Sequence, residues 1–253
     1  MIPVMPGATL SWKEAAPFLF SATSIRQSIT WMKSRAHMPF EYILFDLDET
    51  LYPRASGLMG AISERILLYM VHKVGIPADD APEVKRSYHQ RHGTTLRGLM
   101  QEYHIDPLDY LAFVHDLNPR DFFGASPPLD EMLHEIPLRK VIFTNADRPH
   151  AERVLEALQV RSHFEQIIDI AAMSYKNKPD PLAYQQALTL LDVSAECCIM
   201  VDDIVRNLIP AKDLGMTTIL VEGAGPSLAI DYAVPTVFHI GPLLKNLLLK
   251  HRP

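Results

Sequence analysis

Three things are scarce in this sequence, and each scarcity excludes a class of protein. Only two cysteines occur, Cys197 and Cys198, adjacent in an apolar run, so we expect core thiols in a reducing cytoplasm and no disulfide framework. No apolar run approaches the roughly 18 uncharged residues that a membrane span needs. Basic residues are not in excess, because 24 Lys and Arg stand against 30 Asp and Glu. We therefore predict a soluble cytoplasmic protein with neither nucleic acid nor a membrane as partner.

The first 37 residues lack the periodicity of the rest of the chain. They carry Pro3, Pro6 and Pro17, and their basic side chains face a single acidic one, Glu14. A basic, acid-poor leader is also typical of an organelle transit peptide. We interpret the segment as an N-terminal extension without stable order, or as a start codon assigned upstream of Met38, and keep the transit peptide as the alternative.

From residue 40 onward, short apolar runs alternate with segments of helical period, which predicts βαβ units and a parallel sheet. The starts of two helices are predicted by an N-cap residue followed by proline, because Asp147 precedes Pro149 and Asp180 precedes Pro181. Gly215 is expected to end a third helix. The predicted strands are residues 42–45, 140–144, 166–170, 197–201, 217–221 and 236–240.

The long stretch between the first two predicted strands shows only helical period. Apolar stripes recur at three- and four-residue spacing, for example at Met59, Ile62 and Ile66. The fold prediction is therefore an α/β core with an all-helical subdomain inserted after the first strand. We place the core at residues 38–53 and 128–253 and the helical cap at residues 54–127, with boundaries at prolines.

Polar side chains follow the predicted strands at the edge where ligands bind in open parallel sheets. Several carboxylates at one edge repel one another, and Mg²⁺ prefers a few carboxylates with water and phosphate oxygens, so the cluster predicts a divalent metal. Each piece alone could be an ordinary turn or helix cap, but their joint placement in this order favours a site. The candidates are Asp46, Asp48, Thr144, Asn145, Lys178, Asp202 and Asp203.

These motifs resemble the four ordered motifs of the haloacid dehalogenase superfamily. The matching segments are residues 45–52 (FDLDETLY), 143–146 (FTNA), 178–181 (KPDP) and 201–203 (VDD). Within the superfamily the chain is most similar to the pyrimidine 5′-nucleotidase group. That finer resemblance rests on residues 50–53 (TLYP), 92–99 (HGTTLRGL), 113–116 (FVHD), 143–147 (FTNAD) and 150–151 (HA). The resemblance implies a Rossmann-like core with a helical cap.

The resemblance also implies a mechanism of phosphate ester hydrolysis. Asp46 would attack phosphorus to form an aspartyl-phosphate, and Asp48 would protonate the leaving group and then activate water. Thr144 and the Asn145 amide would hold phosphate oxygens, and Lys178 would balance charge. Mg²⁺ would be the cofactor, bound by Asp46, the Asp48 carbonyl and Asp203, with Asp202 a weaker ligand that acts through water. A dehalogenase is disfavoured, because those enzymes lack a carboxylate at the position of Asp48.

The substrate is the least determined part of the prediction. A small phosphorylated metabolite is expected, and the subgroup resemblance points to a nucleoside monophosphate. Thr94, Thr95 and Arg97 are candidate substrate-binding residues in the insert, although either threonine could instead cap the next helix. The alternatives are a sugar-phosphate phosphatase, a phosphomutase, or a silent binding protein of the same fold. His150, at the start of a helix, is interpreted as a structural residue.

Overall fold

The computed structural model describes residues 40–222 and 230–250. Our predictions for the N-terminal 37 residues lie outside this range. The described residues form a six-stranded parallel sheet with helices on both faces, which confirms the predicted α/β fold. The strands are β1 (Tyr42–Phe45), β2 (Arg139–Phe143), β3 (Phe164–Ile168), β4 (Cys198–Asp202), β5 (Thr217–Val221) and β6 (Tyr232–Val234).

The strand order is β3-β2-β1-β4-β5-β6, so β1 lies between β2 and β4 at the centre of the sheet. Tyr42 is in register with Arg139 on one side and with Cys198 on the other. The residues that directly follow these three strands therefore meet at one point of the carboxyl edge.

Nine α-helices are found in the described residues. Five of them lie between β1 and β2, and we call the first four the inserted helices: α1 (Leu58–Tyr69), α2 (Ala81–His92), α3 (Thr95–Tyr103) and α4 (Pro107–Val114). A π-helical turn, Met70–Val74, continues α1. The other helices are α5 (Pro127–Glu135), α6 (Arg148–Leu158), α7 (Pro181–Leu191), α8 (Val205–Asp213) and α9 (Ile240–Lys250). None of these helices has the length and apolar character needed to cross a membrane.

The two faces of the sheet bury separate apolar cores, as the period-two alternation of a strand requires. Ile43 and Phe45 point into a core shared with α5, α6 and α9. Tyr42 and Leu44 point into a core shared with α7, α8 and the inserted helices. The insert contributes to both cores, because Leu58 and Ile62 of α1 lie in the first, and it reaches the carboxyl edge of the sheet.

The predicted strand at 236–240 is wrong. Those residues form a short 3₁₀ helix, Val237–His239, which leads into α9, and the sixth strand lies earlier, at Tyr232–Val234. Val237, Ile240, Leu244 and Leu247 are all buried. Their spacing of three and four residues is that of a helix face, and this longer pattern outweighs the local β-branched composition.

Candidate active site

Asp46 follows the last residue of β1 and is held in place from both sides. Its backbone N–H donates to the Val201 carbonyl at 2.8 Å, continuing the ladder with β4. Its Oδ1 accepts a hydrogen bond from Lys178 Nζ at 2.8 Å, and its Oδ2 accepts one from Thr50 Oγ1 at 3.1 Å. The residue is only 8% exposed, yet it lines a cavity at this edge of the sheet. It is therefore a fixed carboxylate that a ligand in that cavity can reach.

Lys178 is buried between two carboxylates. Its Nζ lies 2.8 Å from Asp46 Oδ1 and 2.7 Å from Asp202 Oδ2. Burial lowers the pKa of this ammonium, but the charges of Asp202 and Asp46 outweigh burial and raise it to about 12. Asn145 holds the backbone, accepting from Lys178 N–H at 2.8 Å and donating to its carbonyl at 3.1 Å. The cation is thus permanent and fixed in position.

Three carboxylates crowd this edge. One oxygen each of Asp46, Asp202 and Asp203 lie within 4.8 Å of one another. Burial raises the pKa of Asp46 well above its usual value and, with the neighbouring Asp202 charge, raises the pKa of Asp203 to about 6. Clustered, partly buried carboxylates are the donor set of a hard divalent cation, so these residues fit Mg²⁺.

Asp202 differs from the other two, because each of its oxygens already accepts two hydrogen bonds from the protein. Its Oδ1 accepts from Ile204 N–H and from Asn207 Nδ2, and its Oδ2 accepts from Lys178 and again from Asn207. Among the described residues, Asp203 has weaker contacts, with Thr50 Oγ1 at 3.4 Å and the exposed Arg54 at 3.2 Å. Asp46 and Asp203 are therefore the more available metal ligands.

Asp48 lies two residues beyond Asp46 and also lines the cavity. Its Oδ1 accepts from Tyr52 Oη at 2.7 Å and contacts His150 Nε2 at 2.8 Å. Burial alone would raise the pKa of this carboxyl, but His150, with Tyr52, brings it below its usual value. Thr144, 1% exposed, and Asn145 complete this end of the cavity.

The contact of His150 was missed by the sequence reasoning. His150 is 1% exposed and stacks on His115, with ring centroids 4.3 Å apart and planes at 22°. His115 follows α4, and its Nδ1 lies 2.7 Å from Asp147 Oδ1. Asp147 precedes α6, as predicted, but its carboxylate makes no capping bond because it is committed to His115; Asp169 accepts from Arg148 N–H instead.

The cavity, of about 370 Å³, lies between the sheet edge and the inserted helices. Thr94 and Thr95 line it, but Arg97 does not. Thr94 Oγ1 accepts from the Arg97 N–H and so caps α3, while the Arg97 guanidinium pairs with Asp180 at 2.9 Å. The rest of this wall is largely apolar, with Met59, Ile62, Ile66, Leu96, Tyr110, Leu111 and Val114.

Two further cations line the cavity. Lys85 contacts Ser63 Oγ, and Arg206 bonds the carbonyls of His89 and Gly93 at 3.0 and 3.1 Å. Neither forms an ion pair with a carboxylate within the described part of the chain. Burial lowers the pKa of Lys85, and burial also lowers that of Arg206. Lys85 could have been suspected only once α2 was known to face the site, whereas Arg206 follows Asp203 by three residues in the sequence.

Comparisons with known proteins agree with this geometry. Residues 40–215 match the family model of haloacid dehalogenase-like hydrolases. The chain is 25% identical over 190 residues to phosphate metabolism protein 8 of Saccharomyces cerevisiae, covering 68% of this chain and 58% of that one. It is 27% identical over 127 residues to β-phosphoglucomutase of Bacillus subtilis, covering 50% and 54%. The chain thus matches little more than half the length of these relatives.

The fold has solved counterparts as well. The crystal structure of β-phosphoglucomutase from Clostridium difficile superposes with a TM-score of 0.59 at 17% identity, covering 84% of this chain and 98% of that one. At that identity the structural similarity shows a shared fold and nothing more. The family match is different in kind, because it spans most of the sequence and contains all the candidate site residues. This chain belongs to the haloacid dehalogenase-like hydrolase family.

Proposed function

We propose that this hydrolase cleaves phosphate monoesters through an aspartyl-phosphate on Asp46, and that its substrates are pyrimidine nucleoside 5′-monophosphates. The observation that carries the proposal is the placement of Asp46, a nearly buried carboxylate at the cavity floor whose two oxygens are each oriented by one partner, Lys178 or Thr50. A nucleophile fixed in this way reacts without first having to be oriented.

The second part of the proposal is a Mg²⁺ ion held by Asp46, Asp203 and the backbone carbonyl of Asp48. Asp202 would act on it indirectly, since Lys178 and Asn207 already occupy its oxygens. When bound, the ion would neutralise charge on the phosphoryl group. The crowding of three carboxylates within 4.8 Å, against one buried ammonium, supports this assignment.

The remaining steps fall to side chains of this chain. Asp46 attacks phosphorus as Asp48 gives a proton to the leaving oxygen, and Asp48 then takes a proton from the water that hydrolyses the aspartyl-phosphate. Thr144 and the Asn145 backbone N–H bind phosphate oxygens. Lys178 holds Asp46 in place and offsets the negative charge around it.

For the rest of the substrate, we propose that the inserted helices act as a cap, within the boundaries 54–127, on a core of residues 38–53 and 128–253. A cavity with a largely apolar wall and a few donors suits a flat ring that carries carbonyl oxygens. Lys85 and Arg206 only donate hydrogen bonds, so they complement the carbonyls of a pyrimidine better than its amino group. Thr95 is retained as a substrate contact, whereas Thr94 and Arg97 already have protein partners.

A phosphomutase remains the second candidate, favoured by the similarity to β-phosphoglucomutase. One experiment separates the two: hydrolysis of UMP, CMP, purine nucleotides, hexose phosphates and an aryl phosphate, with Mg²⁺ and with chelator. We expect UMP and CMP to lead by more than tenfold, and chelator to abolish turnover. If a hexose phosphate is hydrolysed fastest, or is converted to its isomer, the nucleotidase proposal is refuted. If hydrolysis continues in the presence of chelator, the proposed Mg²⁺ requirement is refuted.

A further inference from the structure

The carboxyl of Asp48 is held by one of its two oxygens. Tyr52 Oη and His150 Nε2 both contact Oδ1, at 2.7 and 2.8 Å. Oδ2 has no hydrogen-bond partner among the residues that the structure describes. Because two donors on one oxygen compete with a proton there, a protonated Asp48 carries its proton on Oδ2. That oxygen is the one left for a ligand in the cavity, which Asp48 lines.

The ring of His150 is supported by its contact with Asp48 and by stacking on His115. Its Nδ1 is buried and has no partner among the described residues, and Nε2 lies against the Asp48 carboxylate, where a hydrogen on Nε2 is donated to Oδ1. A buried nitrogen without a partner carries a desolvation cost that an apolar residue at this position would avoid. Packing alone therefore does not account for a histidine here, and its contact with Asp48 is what distinguishes it.

The support comes from the inserted helices. His115, at the end of α4, stacks on His150 at 4.3 Å. It is fixed in turn by Asp147 at 2.7 Å and by Arg153, whose Nη2 donates to the His115 carbonyl at 2.7 Å. Asp48 is thus connected to the insert through two stacked rings, both of them buried.

We propose that His150 and His115 are positioning residues for leaving-group protonation, His150 by orienting the Asp48 carboxyl and His115 by holding the His150 ring. The inference rests on the proposed function, in which Asp48 is the general acid. As the bond from Asp46 to phosphorus forms and the ester P–O bond breaks, the proton on Asp48 Oδ2 passes to the leaving oxygen. A carboxyl free to rotate would present that proton less often.

The test is a series of phosphate monoesters whose leaving groups range from dinitrophenol to a simple alcohol. Dinitrophenolate leaves without a proton, whereas an alkoxide needs one, so only poor leaving groups depend on the acid. We measure kcat/KM, because it reports transfer to Asp46 and is insensitive to the later attack of water. For His150→Phe we expect a loss of about 10- to 100-fold with alkyl phosphates and little change with dinitrophenyl phosphate.

Two further variants separate positioning from folding. His150→Gln, whose amide nitrogen can approach the place of Nε2, should recover part of the loss with alkyl phosphates. His115→Leu removes the stacked ring and should resemble His150→Phe, while His115→Phe keeps a ring and should lose less. His163, which pairs with Asp130 at 2.6 Å and does not line the cavity, provides the control: His163→Phe should leave the leaving-group dependence unchanged.

The outcomes are distinct. If the wild-type protein hydrolyses no phosphate monoester, the proposed function fails. If it does, but the folded His150 variants slow every leaving group by the same factor, the positioning role is wrong while the phosphatase stands. Equal losses in His115→Leu and His115→Phe would overturn the role of the stacked ring.

Discussion

The sheet edge and the wall formed by the inserted helices face each other across one cavity, and they differ in whether their charged side chains form ion pairs. At the edge, the buried Lys178 is paired with Asp46 and Asp202. On the opposite wall, Lys85 has only a serine hydroxyl and no carboxylate among the described residues. At the edge, the buried ammonium is neutralised by carboxylates of the protein itself. On the wall, the ammonium of Lys85 is left able to donate hydrogen bonds to a substrate.

The largest effect should come from the edge. Asp46→Asn removes the nucleophile but keeps the shape of the side chain, and we expect hydrolysis of an aryl phosphate to fall by more than about 10³-fold. Initial rates measure the loss, and Asp79→Asn, in the exposed turn before α2, is the control. A variant that keeps substantial activity would show that the paired charges at the edge serve folding only.

The next largest effect is expected at the contact of Gly93 with Asn177 and Lys178, which we call the seam between edge and insert. A Cβ at Gly93 would lie 2.4 Å from Asn177 Nδ2 and 3.1 Å from the Lys178 carbonyl. Asn177 cannot turn away without losing its bonds to the His92 and Lys178 carbonyls. Gly93→Ala should cost about 1–3 kcal/mol beyond the strain of its positive φ and should lower turnover by shifting Lys178.

Gly75→Ala is the control for this seam. Gly75 has nearly the same φ, +84° against +85°, but its ψ of 20° lies in the left-handed region, and a Cβ added there would meet no atom within 4 Å. It therefore reports the cost of a positive φ without a close approach. Thermal unfolding compares them. Equal melting temperatures would mean that the close approach of the two loops is not a constraint.

The wall itself should affect substrates selectively. Lys85→Met keeps the apolar stem and removes the ammonium, and we expect kcat/KM for UMP to fall about tenfold or more, with the aryl phosphate unchanged. Lys73→Met is the control, because Lys73 is an exposed partner of Asp109 at 3.8 Å and does not line the cavity. A uniform fall for both substrates would place Lys85 at the phosphate rather than at the base.

The smallest effect is expected far from the cavity. Asp231 accepts bonds from Thr218 and pairs with Lys212, and these contacts, against the opposing effect of burial, lower its pKa. A lowered pKa contributes stability above the unfolded value that is lost as the pH falls through the folded one. Asp231→Asn should therefore reduce the melting temperature slightly at neutral pH, and less in acid, without changing turnover; an equal effect at both would contradict the charge argument.

The sequence predicted the edge better than the wall, for a physical reason. Strand β1 was predicted residue for residue, and the meeting of Asp46, Lys178 and Asp202 follows from the rule that ligands bind where parallel strands end. The stacking of His115 on His150 obeys no such rule, because it joins the end of one helix to the first turn of another. The wrong strand at 236–240 shows the same limit, since burial against the core decided between two local patterns.

The central position of β1 in the sheet affects when the sheet can form during synthesis of the chain. Tyr42 pairs with Arg139 and with Cys198, so β1, the earliest strand in the described residues, is synthesised long before either partner strand. The four inserted helices lie between β1 and β2. Pairings of such high sequence separation form slowly. Asp46 therefore meets Asp202 and Lys178 only after most of the chain has left the ribosome, and no partial product of synthesis ending before β4 can carry the assembled reactive centre.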